Sequence, residues 1–359
     1  MNGFEWRKIQ HDFHIVSTTA AIALNIFLII LISTRSPKTM RSYKYLLMGV
    51  SIFEMFFSSV DIIVSPIVHS FHTVVIVLTV VGDRPKPLMR VLTSTYCGSF
   101  GCFLAMFAML FVYRYYVVSG NPKVKYFESW YLAPLALTVL LCGFIWAAIG
   151  YFLFGPSEEI DAFIRLDLYK ELGLHPENIT YVAPHFYLIN EAGEKVWNWN
   201  CINGMSGVCT IVVGVVYLFF NVELLSNTTV FFIFQYGIRT YRFLQQITKN
   251  PNMSEKARTM QKQLFYALVI QASVPLLLLQ LPLMTLFVFA LLNIHLGQIA
   301  GIDTIAISLF PALDPLPTIF VIKAYRLTIL GCLTKCRVAP LSRPTSQVPN
   351  AILVSVANM

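Results

Sequence analysis

The stretch VLTSTYCGSFGCFLAMFAMLFVYRYYV, residues 91–117, carries a single charge, Arg114, near its end. A helix needs about 20 mostly apolar residues to cross a hydrocarbon core of about 30 Å, so this run is a membrane span with its arginine at a boundary. Outward from it lie six more runs of the same kind, at 14–33, 45–67, 130–154, 204–238, 263–292 and 299–322, with polar breaks between them. Composition agrees: 57% of the 359 residues are apolar and 12% charged, against roughly 25% charged in an ordinary soluble domain. The expected fold is an all-α membrane protein, a seven-transmembrane helix bundle over residues 1–326 with a tail over 327–359. The first thirteen residues mix Glu5, Arg7, Lys8 and Asp12, and the apolar run behind them has no small-residue cleavage site, so it reads as a retained first span.

Seven crossings put the termini on opposite sides, and lysine and arginine decide which side is cytoplasmic. The connections after spans one, three and five, together with the tail, hold 18 of the 26 basic residues. That side is expected to be cytoplasmic and the amino terminus outside. The opposite stretch from Pro156 to Asn200 is acidic, with Glu158, Glu159, Asp161, Asp167, Glu171, Glu177, Glu191 and Glu194 against Arg165, Lys170 and Lys195. The fifth span is interrupted by Asn221, Glu223 and Ser226 to Thr229. Splitting it would move the basic 239–262 loop outside with the tail, so the charge rule favours one long helix. The net charge of +8 is thereby accounted for by loop placement, and nucleic acid is not an expected partner.

In the acidic loop Ser157 precedes Glu158 and Glu159, a helix N-cap with acids in its first turn. Ile160, Phe163, Ile164, Leu168 and Leu172 recur at helical spacing, which predicts a short amphipathic helix over the mouth of the bundle. Asn178-Ile179-Thr180 in the same loop is a usable glycosylation acceptor.

Charges inside a bilayer are costly and call for a partner. Glu54, Ser58 and Asp61 fall on one face of span two, within expected reach of Asn25 on span one, and Asp314 sits in span seven. This intramembrane polar network is either a switch, through protonation or a bound cation, or a static set of hydrogen bonds that fixes packing. Pro275 and Pro282 in span six, and Pro311, Pro315 and Pro317 around Asp314, remove helical donors and predict kinks. Gln271 and Gln280 then either face a ligand or cap freed carbonyls. Spans three, five, six and seven hold aromatic and small polar groups that can face inward together, and Tyr96, Phe100, Gln280, Thr304 and Ser308 are the candidate ligand residues. Such a pocket is mostly apolar and favours small, weakly charged or volatile ligands over anions.

Cys97 and Cys201 are a possible disulfide between span three and the acidic loop, although Cys97 lies about 26 Å along the helix from Arg114. Cys332 and Cys336, just past the last span, fit S-acylation or plain solvated thiols. The seven histidines are scattered over outer segments without metal-ligand spacing or a nucleophile partner, so neither a metal, a cofactor nor enzymatic catalysis is expected.

The combination resembles the nematode serpentine chemoreceptors of the Str class, within the seven-helix G-protein-coupled receptors. The likeness runs from about Asn25 to Arg326. It rests on Leu24-Asn25, Ser36-Pro37-Lys38, Tyr43-Lys44-Tyr45, Ser51-Ile52-Phe53-Glu54 and Asp61 in the first two spans and the loop between them. It continues through Tyr96-Cys97-Gly98-Ser99-Phe100-Gly101, Tyr113-Arg114-Tyr115, Gln263-Leu264-Phe265, Gln271 and Pro275. Its most specific part is Pro311-Ala312-Leu313-Asp314-Pro315-Leu316-Pro317 with Lys323, Tyr325 and Arg326. The resemblance implies a small-molecule ligand entering from outside, a heterotrimeric G protein inside, and a multi-pass plasma-membrane protein on sensory cilia. Candidate coupling residues are Tyr113, Arg114, Arg239, Arg242, Lys323 and Arg326. Compared with rhodopsin-like receptors, Tyr113 stands where an acid would precede Arg114, and Thr318 where a tyrosine would follow Asp314-Pro315. The rival reading is a ligand-gated channel or small-solute transporter with Glu54, Asp61 and Asp314 along a permeation path.

Overall fold

The computed structural model describes residues 3–37, 40, 42–190, 193–220, 238, 241–242, 245 and 255–337. Among the described residues, seven helical rods form the bundle. They are α1 (Gly3–Arg35), α2 (Tyr43–Val64), α3 (Lys86–Ser119), α4 (Leu132–Leu153) and, beyond the acidic loop, α6 (Trp199–Phe220). The sixth is α7 (Glu255–Pro275) joined by a π turn (Leu276–Gln280) to α8 (Leu281–Leu291), and the seventh is α9 (Gly301–Leu313) followed by α10 (Pro315–Val321). Among the described residues, 6 of these rods are long and apolar enough to cross a membrane. The fifth span was expected to reach residue 238, and the part past Phe220 lies outside the described residues, except Ile238 itself, which is helical and exposed. A further helix, α11 (Lys323–Arg337), continues past the end expected for the last span.

Helix α3 is the central rod: 83% of its most apolar window is buried, against 22% for α4. Glycine makes the α3–α4 seam possible. A methyl group on Gly98 would lie 2.5 Å from the Gly143 carbonyl oxygen and 2.7 Å from Cβ of Ala147, and one on Gly143 would collide with Sγ of Cys102. Small residues let helices approach where lipid supplies no hydrophobic drive between them.

Proline shapes the sixth and seventh rods. Pro275 closes α7 and the winding loosens into the π turn before Pro282 starts α8. Pro315 has no N–H for the carbonyl of Pro311, and Asn25 Nδ2 donates to that oxygen at 3.1 Å. The kink is thus tied to the first span by the asparagine that the sequence singled out.

The bundle is all-α, but its cap is not. Strands β1 (Ile67–Phe71) and β2 (Val74–Val80) form a hairpin between α2 and α3, and β2 also pairs with β3 (Ile179–Val182) from the acidic loop. A second hairpin joins β4 (Tyr187–Ile189) and β5 (Lys195–Trp197). The all-α reading holds for the bundle, the small sheets are confined to the cap, and the second helix ends at Val64. The run Val74-Val75-Ile76-Val77 is too short for a span and rich in β-branched residues, which is the signal that marks it as strand. Helix α5 (Glu158–Leu172) lies on the sheet as its amphipathic pattern predicts: Ser157 Oγ accepts from Ile160 N at 3.3 Å, and Ile160, Ile164, Leu168 and Leu172 are buried against Phe71, Ile76 and Leu78. The cap therefore has an apolar core of its own, separate from that of the bundle.

Candidate functional site

The polar residues expected to form one network divide into two. Glu54 is within side-chain hydrogen-bonding reach of Asp314 and Asn25. Asp314 Oδ2 accepts from Gln271 Nε2 at 2.6 Å, and Gln271 Oε1 accepts in turn from Thr318 Oγ1 at 3.4 Å. Spans one, two, six and seven thus meet at the break after Leu313, and Gln271 serves that meeting point rather than a ligand surface. Asp61 belongs elsewhere. Two turns nearer the cap, roughly 10 Å along α2, its Oδ2 lies 2.8 Å from Nδ1 of His14, and Tyr96 is its other neighbour. Ser58 is buried between the two groups without a hydrogen bond among the described residues.

Arg114 occupies the opposite end of the bundle. It is 1% exposed, which is unusual for a guanidinium. Its Cζ sits 3.7 Å from the centre of the Tyr43 ring, Tyr43 stacks on Tyr113 at 5.7 Å, and Nη1 donates to Gln261 Oε1 at 3.0 Å. Nε and Nη2 are buried with no hydrogen bond among the described residues. In place of an acid, an aromatic face and a neutral amide from the sixth span hold this arginine. Tyr325 of α11 closes the same end by bonding Ser36 at 2.7 Å. Lys323 and Arg326 are exposed beside it, as is Arg242, whereas Arg239 lies outside the described residues.

Of the expected ligand residues, Tyr96 stacks on Phe57 at 5.2 Å with Phe100 edge-on at 5.5 Å. Phe103 continues this column from Phe57 to Phe310 of the last span. Thr304 accepts from Val68 N at 2.8 Å, tying the last span to the cap hairpin, and Ser308 bonds Ser17. Gln280 lies in the π turn, partly exposed, where the sixth span packs on α9. Four of the five are therefore buried between helices and engaged there.

Cys97 and Cys201 are both free, buried thiols, so the disulfide is not formed. Cys97 is three turns into α3, roughly 16 Å below its start at Lys86, while Cys201 stands in the first turn of α6. The side chains of Cys332 and Cys336 lie outside the described residues, and Asn178 is exposed on the cap.

Three of the histidines that look scattered in the sequence gather on the cap. Glu171 of α5 lies 3.1 Å from Nε2 of His69 and 2.6 Å from Nε2 of His295, and His72 stacks on His295 at 5.0 Å. Burial pushes the Glu171 carboxyl up, but the two imidazoles outweigh it and hold the group below the usual range. A depressed carboxyl contributes stability above its ordinary pKa and loses it as pH falls through the lowered one. Among the described residues no cluster of histidine, cysteine and carboxylate can hold a metal.

Residues 10–330 match the model of the serpentine type seven-transmembrane G-protein-coupled chemoreceptor family Str. The chain belongs to the Str family. These proteins are receptors, not enzymes, and as a family they imply a ligand and a coupled G protein. This Str receptor is 32% identical to the G-protein coupled receptor str-217 of Caenorhabditis elegans over 322 residues, 88% of this chain and 87% of that one. It is 26% identical to the serpentine receptor class r-10 of Caenorhabditis elegans, over 93% of both chains. Squid rhodopsin shares its fold, with a TM-score of 0.53 over 94% of this receptor and 88% of the rhodopsin chain at 12% identity.

Proposed function

We propose that this receptor displays its cap outside the cell, binds a small, mostly apolar ligand between the spans beneath it, and activates a heterotrimeric G protein at the Arg114 end. The observation that carries the reading is the lock on Arg114. A buried guanidinium with two unused donors is costly unless another state gives them partners. Its Nη1 donates to Gln261 on α7, below the loosened winding at Pro275. Swinging α7 outward from that joint breaks the bond and opens a cleft in which Arg114 meets the carbonyl-rich end of a partner helix. A ligand produces this only by binding the open and closed states unequally.

The basic residues support the orientation, since exposed Lys125, Arg242, Lys262, Lys323 and Arg326 belong to segments on the Arg114 side. The receptor reading is favoured over a channel or transporter because Glu54, Asp61 and Asp314 are each at most 1% exposed and engaged with neighbours, and so line no open path. The site of action in this proposal is the plasma membrane, on sensory cilia. One set of cells tests orientation and pocket together. An epitope before Asp12 should stain on intact cells and one after Arg343 only after permeabilisation. Alanine at Tyr96, Phe100, Gln280, Thr304 and Ser308 should weaken the response to an active odorant by about tenfold or more in combination. Reversed staining, or unchanged potency with normal surface expression, would refute the orientation or the pocket respectively.

A further inference from the structure

Thr180 carries a hydroxyl that the folded cap does not use. It stands in β3 opposite Thr79 of β2 and is 0% exposed, and its Oγ1 has no hydrogen bond among the described residues. The hydroxyl across from it is engaged, since Thr93 Oγ1 donates to Thr79 Oγ1 at 3.1 Å. Burying a hydroxyl without a partner costs stability, and a valine fills the same space without that cost. The neighbouring Ile179 and Val182 are of the branched apolar kind that suits such a strand.

Two residues before it, Asn178 ends the short turn Pro176–Asn178 and is exposed, about midway along the loop between α4 and α6. Its backbone is pinned on both sides, with N donating to His175 O at 3.0 Å and O accepting from Val81 N at 2.9 Å. Asn178-Ile179-Thr180 is an acceptor triplet, in which the asparagine takes the sugar and the third residue must bear a hydroxyl. The chain has two more, Asn227-Thr228-Thr229 in the fifth apolar run and Asn252-Met253-Ser254 in the basic loop before the sixth. With the cap outside, the first of the three is the one on the side where sugars are transferred.

We propose that Asn178 carries an Asn-linked glycan, added while the Thr180 hydroxyl is still reachable and therefore before β3 pairs with β2. The proposal rests on the outside placement of the cap. The donor is an oligosaccharide on a lipid diphosphate. A bond forms between Asn178 Nδ2 and the anomeric carbon of the sugar as the bond from that carbon to the diphosphate oxygen breaks. The lipid diphosphate leaves with the bonding electron pair and takes up the proton that the amide gives up. Once the sheet closes, Thr180 is sealed beneath it while Asn178 and its bulky, solubilising sugar stay at the surface.

The test expresses the full chain in animal cells and follows its gel mobility before and after an amidase that releases Asn-linked glycans. The wild type should shift by one glycan, Asn178→Gln and Thr180→Val should both lose the shift completely, and Asn252→Gln should keep it. Purified Thr180→Val should unfold at a temperature no lower than Asn178→Gln, because neither carries the sugar and the hydroxyl has no partner to lose. Ala192→Thr makes a further acceptor triplet beginning at the exposed Asn190, and its added shift reports the orientation independently. A shift from Ala192→Thr with none in the wild type would overturn the proposal and leave the orientation standing. A shift in neither, or one that depends on Asn252, would overturn both. A Thr180→Val chain that keeps the glycan, or that unfolds below Asn178→Gln, would overturn the assignment of the hydroxyl.

Discussion

Replacement of Arg114 by alanine is expected to reduce odorant-evoked nucleotide exchange on a co-expressed G protein by about tenfold or more, with surface expression and odorant binding retained. The residue lies at the end of the bundle remote from the cap, on the central helix, so its loss leaves the ligand region intact. Arg114→Lys should fail almost as badly, because an ammonium lacks the flat guanidinium that stacks on Tyr43 and donates sideways to Gln261. Gln261→Ala should do the opposite. It removes the hydrogen bond from α7 that holds the closed form, so basal exchange should rise by about threefold to tenfold, the population shift that one hydrogen bond of about 1 kcal/mol permits. Equal loss in Gln261→Ala and Arg114→Ala would mean that the arginine only props the bundle.

The second large effect is structural. Gly143→Leu should eliminate receptor from the cell surface, because the backbones of α3 and α4 are already in contact at Gly98 and Gly143. Over-packing in a core costs about 1–3 kcal/mol when neighbours can move, and here the neighbour on one side is a carbonyl that cannot. Gly143→Ala provides the graded case. Its new methyl would meet Cys102 Sγ, so Cys102→Ala in the same chain should recover a measurable fraction of surface receptor. Receptor counts at the surface by antibody binding, for the two single variants and the double, decide it. Normal display of Gly143→Leu would show that the helices separate more easily than the contact implies.

The spans were legible because an uninterrupted apolar run of membrane length has few other physical meanings, and the N-cap and apolar stripe of α5 were legible for similarly local reasons. The strands of the cap were not. Ile67 to Val80 abuts the second span, and apolarity alone does not separate the end of a membrane helix from a buried hairpin. Among the site residues, Asn25, Glu54 and Asp314 lie together at the break in the last span, where helical spacing and the cost of buried charge point the same way. Asp61 was misassigned to that group. Its partner His14 is 47 residues away on the first helix, and which turn of α1 faces which turn of α2 is set by packing rather than by spacing. The clustering of His69, His72 and His295 around Glu171 has the same origin, with the contributors coming from β1, its turn, α5 and the link into the last span. The glutamine that holds Arg114 escaped notice because Gln261 sits in a polar stretch at the start of the sixth span, where one more glutamine carries no signal.

The central claim is that this receptor acts through a G protein and not by conducting ions. The most direct measurement records membrane current and nucleotide exchange together, in cells expressing the full chain with a heterotrimeric G protein and exposed to a panel of small apolar odorants. The account predicts that an active odorant drives exchange in the wild type, that Arg114→Ala reduces it by about tenfold or more, and that no current appears once the G protein is removed. An odorant-gated current that persists without any G protein would contradict it.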